Sequence, residues 1–455
     1  MTELTRAFVE QLAAAVGATH VSTDPHVLRG RSVDHTGRYH GNAGALVRPA
    51  SAAEAADVVR LCGTARVPLT VQGGRTSLVA GTVPEYGDVL LSTERLTTIG
   101  PVDRADRRVR VGAGVTAAAL QRVAIEAGLL FGVDLASRDS ATVGGMASTN
   151  AGGLRTVRYG NMAEQILGIE VVLPDGTLLH RHSRVRRDNT GYDMSALFVG
   201  AEGTLGVITA LDVRLHPTPV HRAAAVCGFD DLAVLVDAAR HLRDLDAIAA
   251  LELIDASACA VAAAHLGVPA PVPGRWVLLV ELAGEVDQTE GLADALGHLG
   301  VAERAAVGID PSARQRLWQV REAHNEILGV YGPPLKFDVA LPLSEVARFA
   351  AEVEPLLTRH CPAAIPVLFG HIAEGNLHLN LLRAAVAGAA ERALQEELMA
   401  LIAGCGGNVS SEHGVGSRKR DFVGLSRTAA DIAAMRTVKD AFDPHRLVNR
   451  AVLFG

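Results

Sequence analysis

The chain has 455 residues, 49% of them hydrophobic and 20% charged, with a formal net charge of −7. That length calls for two or three domains, because single cores stop growing at roughly 250–300 residues, and so apolar a composition excludes a disordered chain. The acidic balance excludes a nucleic-acid footprint and a polybasic membrane patch, so an anionic substrate would need positive groups placed locally.

Read from the N-terminus, Met1 to Val16 sets Glu3, Arg6 and Glu10 among small apolar residues, the pattern of an amphipathic helix and not of a signal peptide. No apolar run reaches the roughly 18 residues of a spanning helix without a charge or breaker. Five separated cysteines (Cys62, Cys227, Cys259, Cys361, Cys405) include no Cys-x-x-Cys pair. That excludes an iron–sulfur or zinc-finger framework and fits a reducing compartment. A cytoplasmic protein, at most peripheral to a membrane, is expected.

From about 45 to 215 the sequence is rich in glycine and in short strand-like runs at Ala45–Val47, Leu69–Val71, Val89–Leu91, Val109–Val111, Ile169–Leu173 and Leu197–Val199. Helices with three- and four-residue apolar spacing come between them, at Ala53–Ala65 and Thr116–Ala127. Pro217-Thr218-Pro219, after the run Ile208–Leu215, reads as a domain exit. Beyond it, alanine-rich helices (Asp230–Asp244, Ala384–Ala403) alternate with strands (Trp276–Leu282, Val367–Ile372). A glycine-rich tail then ends in a helix near Ala429–Ala441, stopped by Asp443-Pro444. The expectation is an α+β protein with a first domain over 1–219, a second over 220–404, and a segment 405–455 returning to the first.

Three glycine-rich segments compete for a nucleotide. Gly112-Ala113-Gly114-Val115-Thr116-Ala117 matches the dinucleotide fingerprint, and Asp134 lies where a ribose-binding acid belongs. The strand before it, Arg107-Arg108-Val109-Arg110-Val111, alternates charge with valine. A central parallel strand is apolar on both faces, so this one reads as half-exposed and antiparallel, and the nicotinamide reading fails. Val71 to Ser77 (Val-Gln-Gly-Gly-Arg-Thr-Ser) is instead a strand running into paired glycines, able to aim successive backbone N–H groups at a pyrophosphate. Ser137 to Gly145, continuing to Asn150-Ala151-Gly152-Gly153, is of the same kind.

Toward the C-terminus, Gly370 to Asn380 reads as a hairpin. With Glu374-Gly375 as a two-residue turn, His371 faces His378 across the ladder, within reach of one shared ion. Alternation sends His378 and Asn380 to that side and Leu377, Leu379 and Leu381 to the core. Ser410 to Gly416 offers an adjacent carboxylate and imidazole, Glu412 and His413. Two histidines and one carboxylate with positions left open describe a catalytic divalent-metal site.

These segments, with Arg187 to Asp193 (Arg-Asp-Asn-Thr-Gly-Tyr-Asp) and Gly200 to Thr209, resemble the FAD-binding domain of the vanillyl-alcohol-oxidase/PCMH superfamily. The hairpin and Ser411 to Gly416 resemble its glycolate oxidase, D-lactate dehydrogenase and D-2-hydroxyglutarate dehydrogenase branch. The resemblance covers residues 20 to 450 or so. It implies a PCMH-type FAD domain of two α+β subdomains and a ferredoxin-like α+β cap domain. It also implies a dehydrogenase passing the α-hydrogen of a D-2-hydroxy acid to FAD.

In that resemblance Gln72, Gly73, Gly74, Arg75, Thr76 and Ser77 wrap the pyrophosphate. Asp134, Ser137, Ser140, Thr142, Gly144, Gly145, Asn150, Gly152 and Gly153 line the cofactor, and Glu202, Gly206, Val207 and Ile208 hold it from the far side. Some relatives tether FAD through a histidine where this chain has Arg75, so the flavin is expected to be noncovalent. His371, His378 and Glu412 match the family's metal ligands, for zinc or else manganese, and His413 its general base. Arg321 and Lys336 match the substrate's carboxylate-binding cations, and Asn380 a substrate-contacting asparagine. Asn325 replaces a threonine typical of 2-hydroxyglutarate-specific relatives, so the acid's side chain stays open.

Asn449-Arg450-Ala451 departs from the usual Asn-Pro-Gly-Lys ending. A quinone, cytochrome or electron-transfer flavoprotein is the expected acceptor, with homodimerisation left open. The alternatives are a non-redox or alcohol-oxidising relative, or the flavin-binding subunit of a glycolate oxidase complex.

Overall fold

The computed structural model describes residues 4–182 and 188–454, so Arg187 of the 187–193 motif and the first three residues lie outside the described residues. The chain divides into two compact units: Met1–Gly152, Tyr159–Thr218 and Glu412–Gly455 form the first, and Gly153–Arg158 with Pro219–Ser411 the second.

In the first unit, Val21–Ser22, Ala43–Val47, Asp88–Ser92 and Leu69–Gln72 line up as a four-stranded sheet in that order, the last three strands mutually parallel. Helices Arg6–Val16 and Ala52–Ala65 cover it. Leu12, Val16, Val58 and Val59 bury against Val47, Val89 and Leu91, as the three- and four-residue spacing requires. Ser51 caps the second helix by accepting from the Glu54 amide at 3.1 Å.

A second, antiparallel sheet follows, in the order Arg108–Gly112, Val207–Arg214, Ile166–Val172, Leu178–His182. The Arg108–Gly112 strand is thus half-buried and antiparallel, as its alternating charge required. Leu197–Val199 is not a strand. Asp193 caps a short helix, Met194–Phe198, by accepting from the Ser195 and Ala196 amides, and Phe198 buries its ring edge-on to Phe442. The local cap outweighs the β propensity of three residues.

The second unit is built on a seven-stranded antiparallel sheet. Its order is Ala305–Gly308, His221–Phe229, Trp276–Gly284, Ile248–Asp255, Ile365–His371, Asn376–Leu382, Leu335–Ala340. Helices Ala256–Leu266 and Pro311–Glu326 pack on one face, against Val226, Ile254, Val277, Leu279, Val367 and Phe369. Residues 405–411 stay with this unit and do not leave at 405: Asn408 bridges Ala340, and the Ser411 amide donates to Asp338 Oδ2 at 2.8 Å. No helix among the described residues is long and apolar enough to cross a membrane.

Candidate active site

The His371–His378 hairpin forms, but its register differs from the expected one. His371 pairs with Asn376 and His378 with Phe369. The connection is a single 3-10 turn, Ile372–Glu374, closed by Gly375 at φ 68°, not a two-residue turn at Glu374-Gly375. The neighbouring strand fixes this. Leu341 N–H donates to the Gly375 carbonyl at 3.0 Å, and a Cβ at Gly375 would lie 1.9 Å from the Leu341 oxygen. A shift of two residues preserves the face. The histidines are therefore diagonal neighbours on one side of the sheet, their ring centroids 5.6 Å apart, while Leu377, Leu379 and Leu381 are buried.

The register carries further groups onto that face. Glu252 is opposite His371, Asp338 opposite His378, and Lys336 opposite Asn380. Glu252 is fully buried, and both its oxygens are taken: Oε1 lies 2.5 Å from His371 Nδ1 and Oε2 accepts from Arg321 Nε at 2.6 Å. The Arg321 guanidinium lies 4.6 Å from the centroid of the Phe369 ring. Among the described residues its terminal amino groups meet no acceptor. Lys336 is exposed on its strand, and desolvation of its ammonium lowers its pKa from the ordinary lysine value. Asn380 is buried beside it, and Asn325 is exposed in the last turn of the Arg321 helix.

Between Arg321 and Asn325, His324 is fully buried and its Nδ1 lies 2.7 Å from the Val320 carbonyl. Burial pushes its pKa down to about 4. The unfolded imidazole titrates near about 6.5. The neutral form in the folded protein therefore contributes stability that is complete above that pH and lost as pH falls toward 4. Between about pH 7 and pH 5 this costs about 2 kcal/mol. A His324→Phe protein should show a flatter thermal midpoint across that range than wild type.

In the first unit, none of the amides from Gly73 to Ser77 donates to a described acceptor, while Arg75 turns left-handed at φ 57°. Successive amides of this kind are the donors from which anion-binding nests are built. The Ser137–Thr142 loop supports it so closely that a Cβ at Gly74 would lie 1.9 Å from the Ser140 oxygen. Gln72 works from beneath, its amide donating to the Arg31 and Thr82 carbonyls at 2.8 Å each. Thr142 accepts from Gly145 at 3.3 Å, and Asn150, left-handed at φ 51°, accepts from Ala163 at 2.9 Å. Asp134 pairs with Arg138 at 3.1 Å. Val207 and Ile208 point into the core, and Gly206 is held to glycine by Val171 and Val172, so these three offer only backbone to a ligand. Gly144 packs on Ala113, while Gly152 ends a segment of the first unit and Gly153 begins the short piece in the second.

Glu202 faces its own unit: its carboxylate accepts from the Val415 and Gly416 amides at 2.8 and 2.7 Å, holding the loop that starts Glu412-His413. Glu412 Oε1 and His413 Nε2 are 3.3 Å apart. Asn449 ties the same region together. It accepts from Val71 N–H at 2.8 Å and donates to the Glu202 carbonyl at 2.7 Å. Lys439, also buried, donates to the Thr204 and Val448 carbonyls and to Asp443. A Lys439→Met protein should lose about 3 kcal/mol, since Asp443 is left charged and buried, read as an earlier denaturation midpoint with earlier flavin release.

Sequence reasoning missed Glu252, Asp338, Asn449 and Lys439. Glu252 left a signal, a lone acid in the apolar strand Ile-Ala-Ala-Leu-Glu-Leu-Ile, which is tolerable only with buried partners.

Residues 43–181 match the family described as FAD binding domain, and residues 218–453 match FAD linked oxidases, C-terminal domain. The chain belongs to the FAD-linked oxidase family. This FAD-linked oxidase is 33% identical over 438 residues to a mitochondrial D-2-hydroxyglutarate dehydrogenase of Bos taurus, covering 94% of this chain and 80% of the relative. It is likewise 33% identical over 454 residues to a D-2-hydroxyglutarate dehydrogenase of Xanthomonas citri pv. viticola, covering 97% and 96%. Among solved structures, p-cresol methylhydroxylase superposes with a TM-score of 0.82 at 18% identity, covering 98% of this chain and 97% of the other. That likeness is one of fold, a PCMH-type FAD domain joined to an α+β cap.

The cradle of this FAD-linked oxidase suits its cofactor. Consecutive amides at Gly73 to Ser77 can donate to an anion such as a pyrophosphate, and glycine is enforced where the two loops meet. The histidine pair suits a divalent cation. Glu252 meets His371 at Nδ1, the arrangement in which a carboxylate behind an imidazole orients the ring.

Proposed function

We propose that this protein is an FAD-dependent dehydrogenase of small D-2-hydroxy acids of the D-2-hydroxyglutarate, D-lactate or glycolate class, producing the 2-oxo acid. One observation carries the reading: a single sheet face bears two imidazoles and an ammonium, and the helix packed on that face brings to it a guanidinium whose terminal amino groups meet no acceptor among the described residues. Imidazoles suit a divalent cation, and a guanidinium with an ammonium suits a carboxylate. A 2-hydroxy acid presents a hydroxyl and a carboxylate on adjacent carbons and can engage both.

In this reading Arg321 and Lys336 bind the substrate carboxylate, and Asn380 orients its oxygens. His371 and His378 with Glu412 hold the cation, zinc first and manganese second, since two imidazoles and one carboxylate suit either ion. Asp338 anchors the Ser411 amide, and Glu412 is the next residue in the chain. A cation held there would supply acidity to the α-hydroxyl, and FAD would supply the acceptor for the α-hydrogen as hydride. His413 takes the hydroxyl proton, and Glu202 fixes the loop that carries it. Asn325 stands at the open end for the acid's side chain. Electrons then leave to a quinone, cytochrome or electron-transfer flavoprotein.

The test is anaerobic mixing of the flavin-loaded protein with D- and L-lactate, glycolate and D-2-hydroxyglutarate. At least one D acid or glycolate should bleach the flavin, and L acids should not. A flavin that no 2-hydroxy acid reduces contradicts the reading.

A further inference from the structure

We propose that Glu252 is a positioning residue that sets both halves of the substrate site at once, fixing the ring nitrogen that His371 offers a cation and the plane in which Arg321 meets a carboxylate. The proposal rests on the functional reading above and adds to it a residue that touches neither substrate nor cofactor.

Glu252 sits on the strand Ile248–Asp255, directly opposite His371 and completely buried. A carboxylate can only accept hydrogen bonds, so the imidazole nitrogen 2.5 Å from Oε1 must carry its proton. In the neutral ring the lone pair then lies on Nε2 alone. Without that acceptor the ring could hold its proton on either nitrogen, and in one tautomer Nε2 would be blocked. The second oxygen does the corresponding work on the guanidinium. It accepts from Nε at 2.6 Å while the guanidinium carbon sits over the Phe369 ring, 4.6 Å from its centroid, so the donors left for a ligand are the two terminal amino groups. One buried group therefore serves two sites that must act on adjacent carbons of the same molecule.

A purely structural role, neutralising a buried arginine, would account for the Arg321 bond but not for the imidazole. The two roles separate in proteins that lack Arg321. In Glu252→Gln with Arg321→Met, no charge is left buried, and the amide oxygen can turn to accept from His371 Nδ1. In Glu252→Leu with Arg321→Met, nothing can. In the single Glu252→Gln protein, Arg321 draws the one remaining oxygen, because charge-assisted hydrogen bonds are the stronger. The amide NH2 then faces Nδ1, which has to accept, and the proton moves to Nε2.

The experiment is titration of the full-length, flavin-loaded proteins with zinc alone against a chelating indicator. The Gln/Met double variant should bind zinc as wild type does. The Leu/Met double and the single Glu252→Gln variant should bind it about 10- to 100-fold more weakly, the usual cost of removing a carboxylate behind a metal-bound histidine. Equal zinc affinity in the two double variants overturns the proposal, as does wild-type affinity in Glu252→Gln. If the variants behave as expected but no 2-hydroxy acid reduces the flavin, the functional reading fails and the positioning role stands. Wild-type protein that binds no zinc overturns both.

Discussion

A His371→Ala protein should retain its flavin, lose its zinc, and reduce the flavin about 10³-fold more slowly, the several kcal/mol that a cation's charge stabilisation supplies. The fold should survive, because Glu252 keeps its bond to Arg321 and no buried charge is orphaned. The cradle from Gly73 to Ser77 belongs to the other unit and is untouched. Metal content by emission spectrometry, flavin content by absorbance and single-turnover reduction by stopped flow separate the three quantities. A variant that keeps zinc, or that lacks zinc and turns over normally, would remove His371 from the site. His378→Ala should behave alike, since its ring lies beside that of His371 on the same face.

Loss of His413 should leave a different signature. A His413→Ala protein should keep both zinc and flavin while reduction falls about 10²- to 10⁴-fold, the range for removing a general base. The loop should stay in place, because Glu202 holds it through the Val415 and Gly416 backbone and not through His413. Added imidazole should restore part of the rate. If zinc leaves with the side chain, His413 is a ligand and not a base.

Much of this was legible in the sequence, and the exceptions have physical causes. The hairpin's face could be read because leucines alternate with polar residues at 377–381, and period two does not depend on the turn. Its register could not, because that was set by Gly375 lying against Leu341, a contact some thirty residues away in the chain. The same limit hid Glu252, whose partners lie 69 and 119 residues further along. The glycine fingerprint at Gly112 could be rejected from the charge alternation of its strand alone, which its antiparallel pairing bears out. At Leu197–Val199 the opposite happened: Asp193, four residues upstream, supplied a cap that made the segment helical. Lys439 gave no sign at all, since a lysine four residues before an aspartate on a helix is ordinarily a surface pair. Here the pair is buried, and its remaining donors hold Thr204 and Val448.

The central claim is that a cation held by His371 and His378 and the flavin act on one small acid. The most direct measurement strips the purified, flavin-loaded protein of metal with a chelator, mixes it anaerobically with a D-2-hydroxy acid that reduces the untreated protein, and then adds zinc. The stripped flavin should stay oxidised and be reduced once zinc is restored. Reduction of the metal-free protein at the untreated rate would contradict the claim.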